Sequence, residues 1–182
     1  MSHKINLNEA ELRELQLCEL EALEFFDNFC RSHGLTYYLC GGSLIGALRH
    51  KGFIPWDDDL DIAMPRDDYE KLIKILNKKK SELYELQYEK NEKKYYLQFV
   101  KIRKKGTTFI EEIAKGMYDN NGIFIDIIPL DFAKDKKEAS IIKALKRLEK
   151  KRIVEFNAIV KYAPLNIKQQ LFKDFYKRRN NF

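Results

Sequence analysis

The sequence is poor in cysteine, with three residues among 182, at Cys18, Cys30 and Cys40. The count is odd and no pair shows the C-x-x-C spacing, so the sequence predicts neither a disulfide framework nor a zinc site. Thiols without such a pattern are typical of a reducing compartment, and we therefore expect a cytoplasmic protein.

Long apolar runs are missing as well. No stretch approaches the ~20 apolar residues that a membrane-spanning helix requires. Near the N-terminus, Glu9, Glu11 and Glu14 stand where a signal peptide would need an apolar segment. We expect no membrane span and no signal peptide, and a location in the cytoplasm or at the inner face of the membrane.

Charge, in contrast, is plentiful: charged residues make up 34% of the chain and the net charge is +6. A positive balance favours an anionic partner such as a nucleotide, a phosphorylated glycan or an anionic membrane surface, although plain solubility explains it too. The lysines form short, scattered clusters and no long basic arm. We therefore expect no nucleic-acid partner and leave a peripheral association with a membrane open.

Hydrophobic periodicity predicts an α+β domain with a mixed β-sheet core flanked by helices. Residues 1–132 are expected to form the catalytic core, and residues 133–182 a helical C-terminal segment. The predicted elements are a helix over 8–34, a strand over 35–40, a helix over 43–50, a strand over 59–64, a helix from 67 or 68 to 76, strands over 85–90, 95–103, 107–113 and 123–128, and two helices after 134.

An acidic pair in the centre of the chain carries the first chemical signal. Asp59 and Asp61 alternate with apolar residues, so their side chains share one face of a predicted strand. Two neighbouring carboxylates repel each other, and burying them unpaired is costly. A hard divalent cation such as Mg²⁺ or Mn²⁺ removes that cost. We interpret both residues as catalytic metal ligands. A solvated acidic loop is the alternative, and the alternation makes it the weaker interpretation.

A glycine turn precedes this pair. Gly41 and Gly42 would let the backbone approach a ligand closely, because they lack a Cβ atom. Ser43 then opens a predicted helix, whose free amides and positive dipole end favour a phosphate. We predict that these three residues bind substrate, although a Gly-Gly-Ser turn alone is common.

A third carboxylate is expected at Asp126, which lies among apolar residues in GIFIDIIPLD. Completing the metal site would compensate its burial, and a buried aspartate bonded to arginine or backbone amides is the alternative. Asp131 is interpreted as a turn residue or a helix cap.

Basic residues supply further candidates for substrate binding. Arg49, His50 and Lys51 follow the short helix, and the planar fork of an arginine suits a phosphate best. Lys101 and Arg103 share one face of a predicted strand, where they could bind a second phosphate or a sugar. A solvated helix end and an exposed strand face are the respective alternatives.

These motifs resemble a known family. The stretch 37–69, with GGS and RHKGFIPWDDDLDI, and the later FIDIIPLD are similar to the LicD family of the nucleotidyltransferase-fold superfamily, which is related to the fukutin-related transferases. The resemblance extends over roughly residues 8–131. It implies a nucleotidyltransferase-like sheet, metal binding at Asp59 and Asp61, and a third acid at Asp126.

The resemblance also implies a reaction. Members typically move phosphocholine from CDP-choline, and relatives move other CDP-linked alcohols such as ribitol phosphate. The implied acceptor is a glycan or glycolipid, as in lipopolysaccharide or teichoic acid. Trp56 could then receive a quaternary ammonium on its ring, with Phe53, Tyr37 and Tyr38 as lesser candidates. Asp58 is a further candidate for substrate binding.

Two other functions stay open at this point. One is a nucleotidyltransferase that moves a nucleoside monophosphate from a nucleoside triphosphate to a small molecule. The other is a nucleotide-binding module without catalysis. Members of the family extend further at the C-terminus with a Tyr-Gly-Asp-like segment, so a truncated form, a fragment or a short paralogue is expected.

Overall fold

A computed structural model describes residues 7–131, except residues 93, 96, 112 and 113. The prediction of an α+β fold is confirmed, and the two helices predicted after 134 lie outside the described residues. In chain order, the helices and strands are α1 (Glu9–His33), β1 (Tyr38–Leu39), α2 (Gly41–His50), β2 (Asp61–Pro65), α3 (Arg66–Lys78), β3 (Tyr84–Gln87), β4 (Val100–Lys104) and β5 (Phe124–Leu130).

The strands form one mixed sheet in the order β1-β2-β5-β4-β3. β2 and β5 run parallel, with Asp61 opposite Asp126. The other neighbours are antiparallel, and Lys101 of β4 lies opposite Asp126 from the other side. Because directly opposed residues share a face of the sheet, these three charged residues lie in one row across three strands.

Helix α1 forms where the capping signal predicts it. The Asn8 side chain accepts hydrogen bonds from the amides of Ala10 and Glu11, and the Glu11 side chain accepts one from the Asn8 amide. This capping box satisfies amides that the first turn leaves without partners. Gly34 ends the helix in the left-handed conformation, at φ 62°. No helix in the described part of the chain is long and apolar enough to cross a membrane.

The sheet has two different faces. We call the side that packs on α1 and α3 the apolar face, and the opposite side the polar face. Each fully buried aliphatic side chain contributes about 1.5–3 kcal/mol through its removal from water. The apolar face presents Ile62, Met64, Val100, Ile102, Ile125 and Ile127 to Ala22, Phe26, Cys30, Tyr69 and Leu72. The polar face carries Asp61, Lys101, Arg103 and Asp126.

The first two strands are shorter than predicted. The strand expected over 35–40 is reduced to Tyr38–Leu39 at the edge of the sheet. β2 begins at Asp61 and not at Asp59. The segment before it is held by α1 instead, because the Gln16 side chain donates to the carbonyl oxygens of Ile54 and Asp57 at 3.3 and 3.0 Å.

The later strands also differ from the prediction. β3 covers Tyr84–Gln87 because the chain turns at Tyr88, whose carbonyl oxygen accepts the amides of Asn91 and Glu92. β4 starts at Val100, five residues later than predicted. The strand expected over 107–113 is absent among the described residues of that segment, where single hydrogen bonds, such as that from the Phe109 amide to the Asn121 carbonyl, replace a ladder.

Candidate active site

The start of α2 lies against the acidic residues. Gly41 has φ +56°, which a residue with a side chain rarely adopts, and a Cβ atom there would lie 2.7 Å from Oδ2 of Asp61. A Cβ atom on Gly42 would collide with Oδ2 of Asp57. No side chain caps this helix, so amides of its first turn are available to an anion. The two glycines therefore bring carboxylates and a helix start into direct contact.

Ser43 positions one of these carboxylates. Its buried hydroxyl oxygen accepts a hydrogen bond from the Asp61 amide at 2.8 Å, and the Cys40 amide donates to the Asp61 carbonyl at 3.2 Å. The helix start and the first residue of β2 are thus tied together by two bonds. A phosphate contact from Ser43 stays a prediction.

Asp61 and Asp126 meet as the sequence predicts. They are directly opposed on neighbouring parallel strands, which lie about 5 Å apart. Burial raises the pKa of both carboxyl groups, to about 6 for Asp126, and the nearby Lys101 opposes the shift in each case. Two carboxyl groups with raised pKa values side by side indicate a site that lacks positive charge.

The lack of positive charge affects the pKa of Asp59 more strongly than the pKa of Asp61 or Asp126. Burial, followed by repulsion from Asp61, Asp57, Asp58 and Asp126, raises its pKa to about 7. A carboxyl group in this state holds a proton about half of the time at neutral pH. Any cation that binds here would release that proton and be favoured by the surrounding negative charge.

Lys101 lies inside this cluster and not at the surface. Its Nζ atom is 2.8 Å from Oδ1 of Asp126, 3.4 Å from Oε2 of Glu111 and 3.3 Å from the centre of the Phe124 ring, and the residue is 1% exposed. The contact with Asp126 is a close charge pair without the angles of a hydrogen bond. An exposed strand face, the alternative interpretation of Lys101, is therefore excluded. Lys101 compensates part of the negative charge of Asp126, so a metal ion would not be the only partner of that carboxylate.

Arg103 is equally buried, and its side chain is held by hydrogen bonds within the domain. Its Nε donates to Oε1 of Gln87 and its Nη1 to the Gly122 carbonyl, both at 2.6 Å. Its guanidinium carbon lies 4.7 Å from the centre of the Phe124 ring. These contacts give Arg103 a structural role, and the exposed-face alternative is wrong here too. Substrate binding by Arg103 and Lys101 stays a prediction.

The acidic residues have the type of ligand atom that a divalent cation needs, but their present arrangement does not form a complete set of ligands. Within the described residues, no group of three or more His, Cys, Asp or Glu side chains is arranged to hold a metal ion. Carboxylate oxygens nevertheless are the ligands that Mg²⁺ and Mn²⁺ prefer, and the raised pKa values of Asp59 and Asp126 mark the missing charge. Binding would require side chains to reorient. Asp59, Asp61 and Asp126 as ligands therefore remain a prediction.

The remaining candidates lie at the other end of α2. Arg49, His50 and Lys51 are exposed at its C-terminus, about 12 Å along the axis from the glycines. Trp56 is 64% exposed, with its ring centre 6.3 Å from that of His50. Asp58 is half-buried beside Asp59. Asp131 is exposed and accepts two hydrogen bonds from Arg66, each of 2.7 Å.

Sequence reasoning missed one acidic residue. Glu19 belongs to the buried stripe of α1, between Leu15 and Ala22, and is 0% exposed. The signal was present in the sequence, because a glutamate at positions spaced as 15, 19, 22 and 26 falls on the apolar side of a helix.

The comparison with known families assigns this sheet, with its glycine-opened helix and its carboxylates on adjoining strands, to the nucleotidyltransferase class. Residues 34–152 match the family described as LicD/FKTN/FKRP, nucleotidyltransferase domain. The match covers more than half of the chain, and this protein belongs to that family, as the resemblance of its motifs predicted.

Curated relatives extend the comparison. The chain is 46% identical over 76 residues to the lipopolysaccharide cholinephosphotransferase LicD of Haemophilus influenzae, which is 42% of this chain and 29% of that protein. It is 51% identical over 35 residues to the human ribitol 5-phosphate transferase FKRP, covering 19% and 7%. An uncharacterized protein of Rickettsia typhi is 32% identical over 92 residues, covering 47% and 30%. The matches span less than a third of these relatives.

Proposed function

We propose that this chain is the catalytic part of a metal-dependent transferase. It would move phosphocholine, or a related phospho-alcohol, from a CDP-linked donor to a cell-surface glycan such as lipopolysaccharide or teichoic acid. The observation that carries the proposal is the meeting of Asp61 and Asp126 on neighbouring strands at the glycine-opened start of α2. The names of the relatives, a cholinephosphotransferase and a ribitol 5-phosphate transferase, support the transferred group.

Asp59, Asp61 and Asp126 would hold Mg²⁺ or Mn²⁺, which supplies charge neutralisation to the donor diphosphate. The hydrogen bond from the Asp61 amide to Ser43 fixes the helix start against the carboxylates. The amides of Gly42 and its neighbours would donate to a phosphate oxygen, because a helix start favours negative charge. The backbone amides, and the carboxylates through the metal they would hold, are thereby assigned to binding and orienting the diphosphate.

The transfer itself needs a proton acceptor. The acceptor hydroxyl oxygen forms a bond to the phosphorus of the phospho-alcohol, the bond from that phosphorus to the CMP oxygen breaks, and CMP leaves. Asp126 either completes the metal site or takes the hydroxyl proton, and a carboxyl pKa of about 6 leaves it mostly ionised at neutral pH for either role. Lys101 keeps this carboxylate oriented through the charge pair at 2.8 Å.

Donor specificity is assigned to the exposed aromatic ring of Trp56. A quaternary ammonium over an indole face gains about 0.5–2 kcal/mol, which an uncharged alcohol such as ribitol would not gain. The ring is accessible, and His50 lies beside it at 6.3 Å.

A location at the cytoplasmic side of the membrane completes the proposal. The net charge of +6 favours peripheral association with an anionic surface, where a glycolipid acceptor would be presented. Co-sedimentation with anionic vesicles, absent with neutral vesicles, is the expected behaviour.

Incubation with a panel of CDP-alcohols and Mg²⁺, with and without candidate glycans, tests the function. Glycan-dependent release of CMP is the expected result. Release of pyrophosphate from a nucleoside triphosphate would indicate a nucleotidyltransferase, and Mg²⁺-dependent nucleotide binding without turnover would indicate a binding module. Either outcome would replace the proposal.

A further inference from the structure

Helix α2 turns an apolar side to solvent. Leu44, Ile45 and Leu48 are spaced so that their side chains share one face of the helix, and they are 43%, 44% and 67% exposed. The opposite face carries Ser43 and Gly46, which are buried against β2 and the loop after the helix. A surface helix of a globular domain turns polar side chains to water. An exposed apolar face therefore indicates a surface that another molecule covers.

The apolar face adjoins a tryptophan and ends in cations. A Cβ atom on Gly46 would collide with the carbonyl oxygen of Gly52, so α2 lies directly on the loop that leads to Trp56. The ring of Trp56 is 64% exposed beside that of His50. Three basic residues, 49–51, are exposed at the end of the helix, and α2 contains no acidic residue. Exposed aliphatic side chains, a tryptophan and basic residues together are typical of helices that lie among the headgroups of a membrane.

Charge selects among three molecules that could cover this face. Residues 132–182 contain fifteen lysine and arginine residues against five aspartate and glutamate residues, so they carry the same sign of charge as residues 49–51. A second copy that docked through the same face would bring its own cations against these. An anionic lipid surface opposes the cations with negative charge and also receives the apolar side chains. Charge complementarity therefore favours a membrane.

We propose that the exposed face of α2, together with Trp56 and residues 49–51, docks on an anionic membrane surface. The proposal rests on the membrane location in the proposed function and assigns that location to one surface of the domain. The glycine-opened start of the same helix lies against Asp57 and Asp61. A docked α2 would therefore hold the candidate site at the surface where a glycolipid acceptor is presented.

The fluorescence of Trp56 tests the contact directly, because it is the only tryptophan in the chain. Vesicles of phosphatidylcholine and phosphatidylglycerol in equal parts should shift its emission to shorter wavelength. Brominated phosphatidylcholine in the same vesicles should quench the emission, because quenching requires contact between the ring and the lipid. Vesicles of phosphatidylcholine alone should have neither effect. Co-sedimentation with the anionic vesicles without quenching would show that another surface docks, and would overturn the proposal.

A double variant of the full chain, Ile45→Ser with Leu48→Ser, removes the apolar contact and keeps every cation. It should bind the anionic vesicles about 10- to 100-fold more weakly, since full burial of either side chain is worth about tenfold or more. Leu83→Ser is the matched control, because Leu83 is 63% exposed and precedes β3, at the opposite edge of the sheet from β1 and β2. This control should bind like the wild type. Equal binding by the double variant and the wild type, or an equal loss in the control, contradicts the proposal.

The outcomes separate this inference from the function beneath it. Without lipid, the double variant should melt close to the wild type, and a marked fall in melting temperature would show that the chain itself or a second copy covers the face. CMP release with a water-soluble glycan should be unchanged in the double variant, since neither side chain belongs to the candidate site. Weakened vesicle binding with normal CMP release supports the docking surface. Vesicle binding without CMP release in the wild type overturns the transfer reaction alone, and absence of vesicle binding by the wild type overturns the docking alone.

Discussion

The two faces of the central sheet are buried to a similar degree but serve opposite purposes. On β4, Ile102 and Lys101 are each 1% exposed, yet Ile102 packs in the core and Lys101 lies among carboxylates. Burial stabilises the apolar face through the hydrophobic effect, whereas on the polar face it costs free energy because charged groups lose their hydration. Neighbouring residues of β4 therefore serve different roles, since one stabilises the core and the next belongs to the charged cluster of the candidate site.

This comparison explains why the polar face is poised for a cation. Lys101 opposes the rise in the pKa of Asp126 and of Asp61 without abolishing either, and the pKa of Asp59 is raised to about 7. The apolar face gains nothing from added metal, whereas the polar face would gain the missing positive charge. The first three predictions below test this difference, and the last concerns a residue outside both faces.

The largest effect is expected at Asp59. Asp59→Asn should reduce transfer about 1000-fold or more, because metal-based charge stabilisation contributes several kcal/mol. The melting temperature should stay the same or rise, since a repulsive carboxylate has been removed. Steady-state rates and thermal melting check both parts. Asp67→Asn, at an exposed position in the first turn of α3, is the matched control. Normal turnover by Asp59→Asn would refute the site.

Lys101→Met and Ile102→Ala compare the faces directly. Each should lower the free energy of unfolding by about 3 kcal/mol, through an unpaired buried Asp126 in one case and a core cavity in the other. Added Mg²⁺ should restore much of the loss in Lys101→Met and none specific to Ile102→Ala. Urea titrations with Mg²⁺ and with chelator measure this difference. Equal responses to Mg²⁺ would contradict the comparison.

A pH dependence follows from the raised carboxyl pKa values. Asp126, Asp59 and Glu19 have pKa values of about 6, 7 and 9 in the folded chain, above the ordinary values near 4 of the unfolded chain. The folded state thus binds more protons, so its stability is greatest near pH 4 and falls as pH rises through 6, 7 and 9. Melting temperatures in chelator should decline across this range, and Mg²⁺ should reduce the decline. A metal-free stability that increases from pH 5 to 9 would contradict the assignment.

The smallest effect is expected at Trp56, outside both faces. Trp56→Ala should lower the preference for CDP-choline over CDP-ribitol by a few-fold to about 30-fold, the equivalent of a cation–π contact of about 0.5–2 kcal/mol. Competition binding with the two donors measures the ratio. An unchanged ratio would remove Trp56 from the account and leave the acidic site intact.

Part of this arrangement could be predicted from local sequence. The capping box at Asn8 and the glycine at the end of α1 follow from short-range patterns. The meeting of Asp61 and Asp126 was expected because an aspartate among apolar residues needs a partner and because the motifs resemble a known family. The period of the strands also placed Lys101 and Arg103 on one face of the sheet.

The rest depends on contacts between distant segments. The burial of Lys101 and Arg103 could not be predicted, because no local pattern links them to Glu111 and Gly122 in the connection between β4 and β5. β2 starts later than predicted because Gln16, which is 41 residues from Asp57 in sequence, holds the segment before β2 by a hydrogen bond. Glu19 was visible as a charge on an apolar helix side, but its aspartate neighbours appear only in three dimensions.

The most direct test of the central claim is anomalous diffraction from a crystal grown with Mn²⁺ and CDP. The proposed metal site predicts a manganese peak within ligating distance of the carboxylates of Asp59 and Asp61, with the CDP phosphates at the start of α2. A crystal with bound CDP and no manganese at these carboxylates, or with manganese only elsewhere, would contradict it.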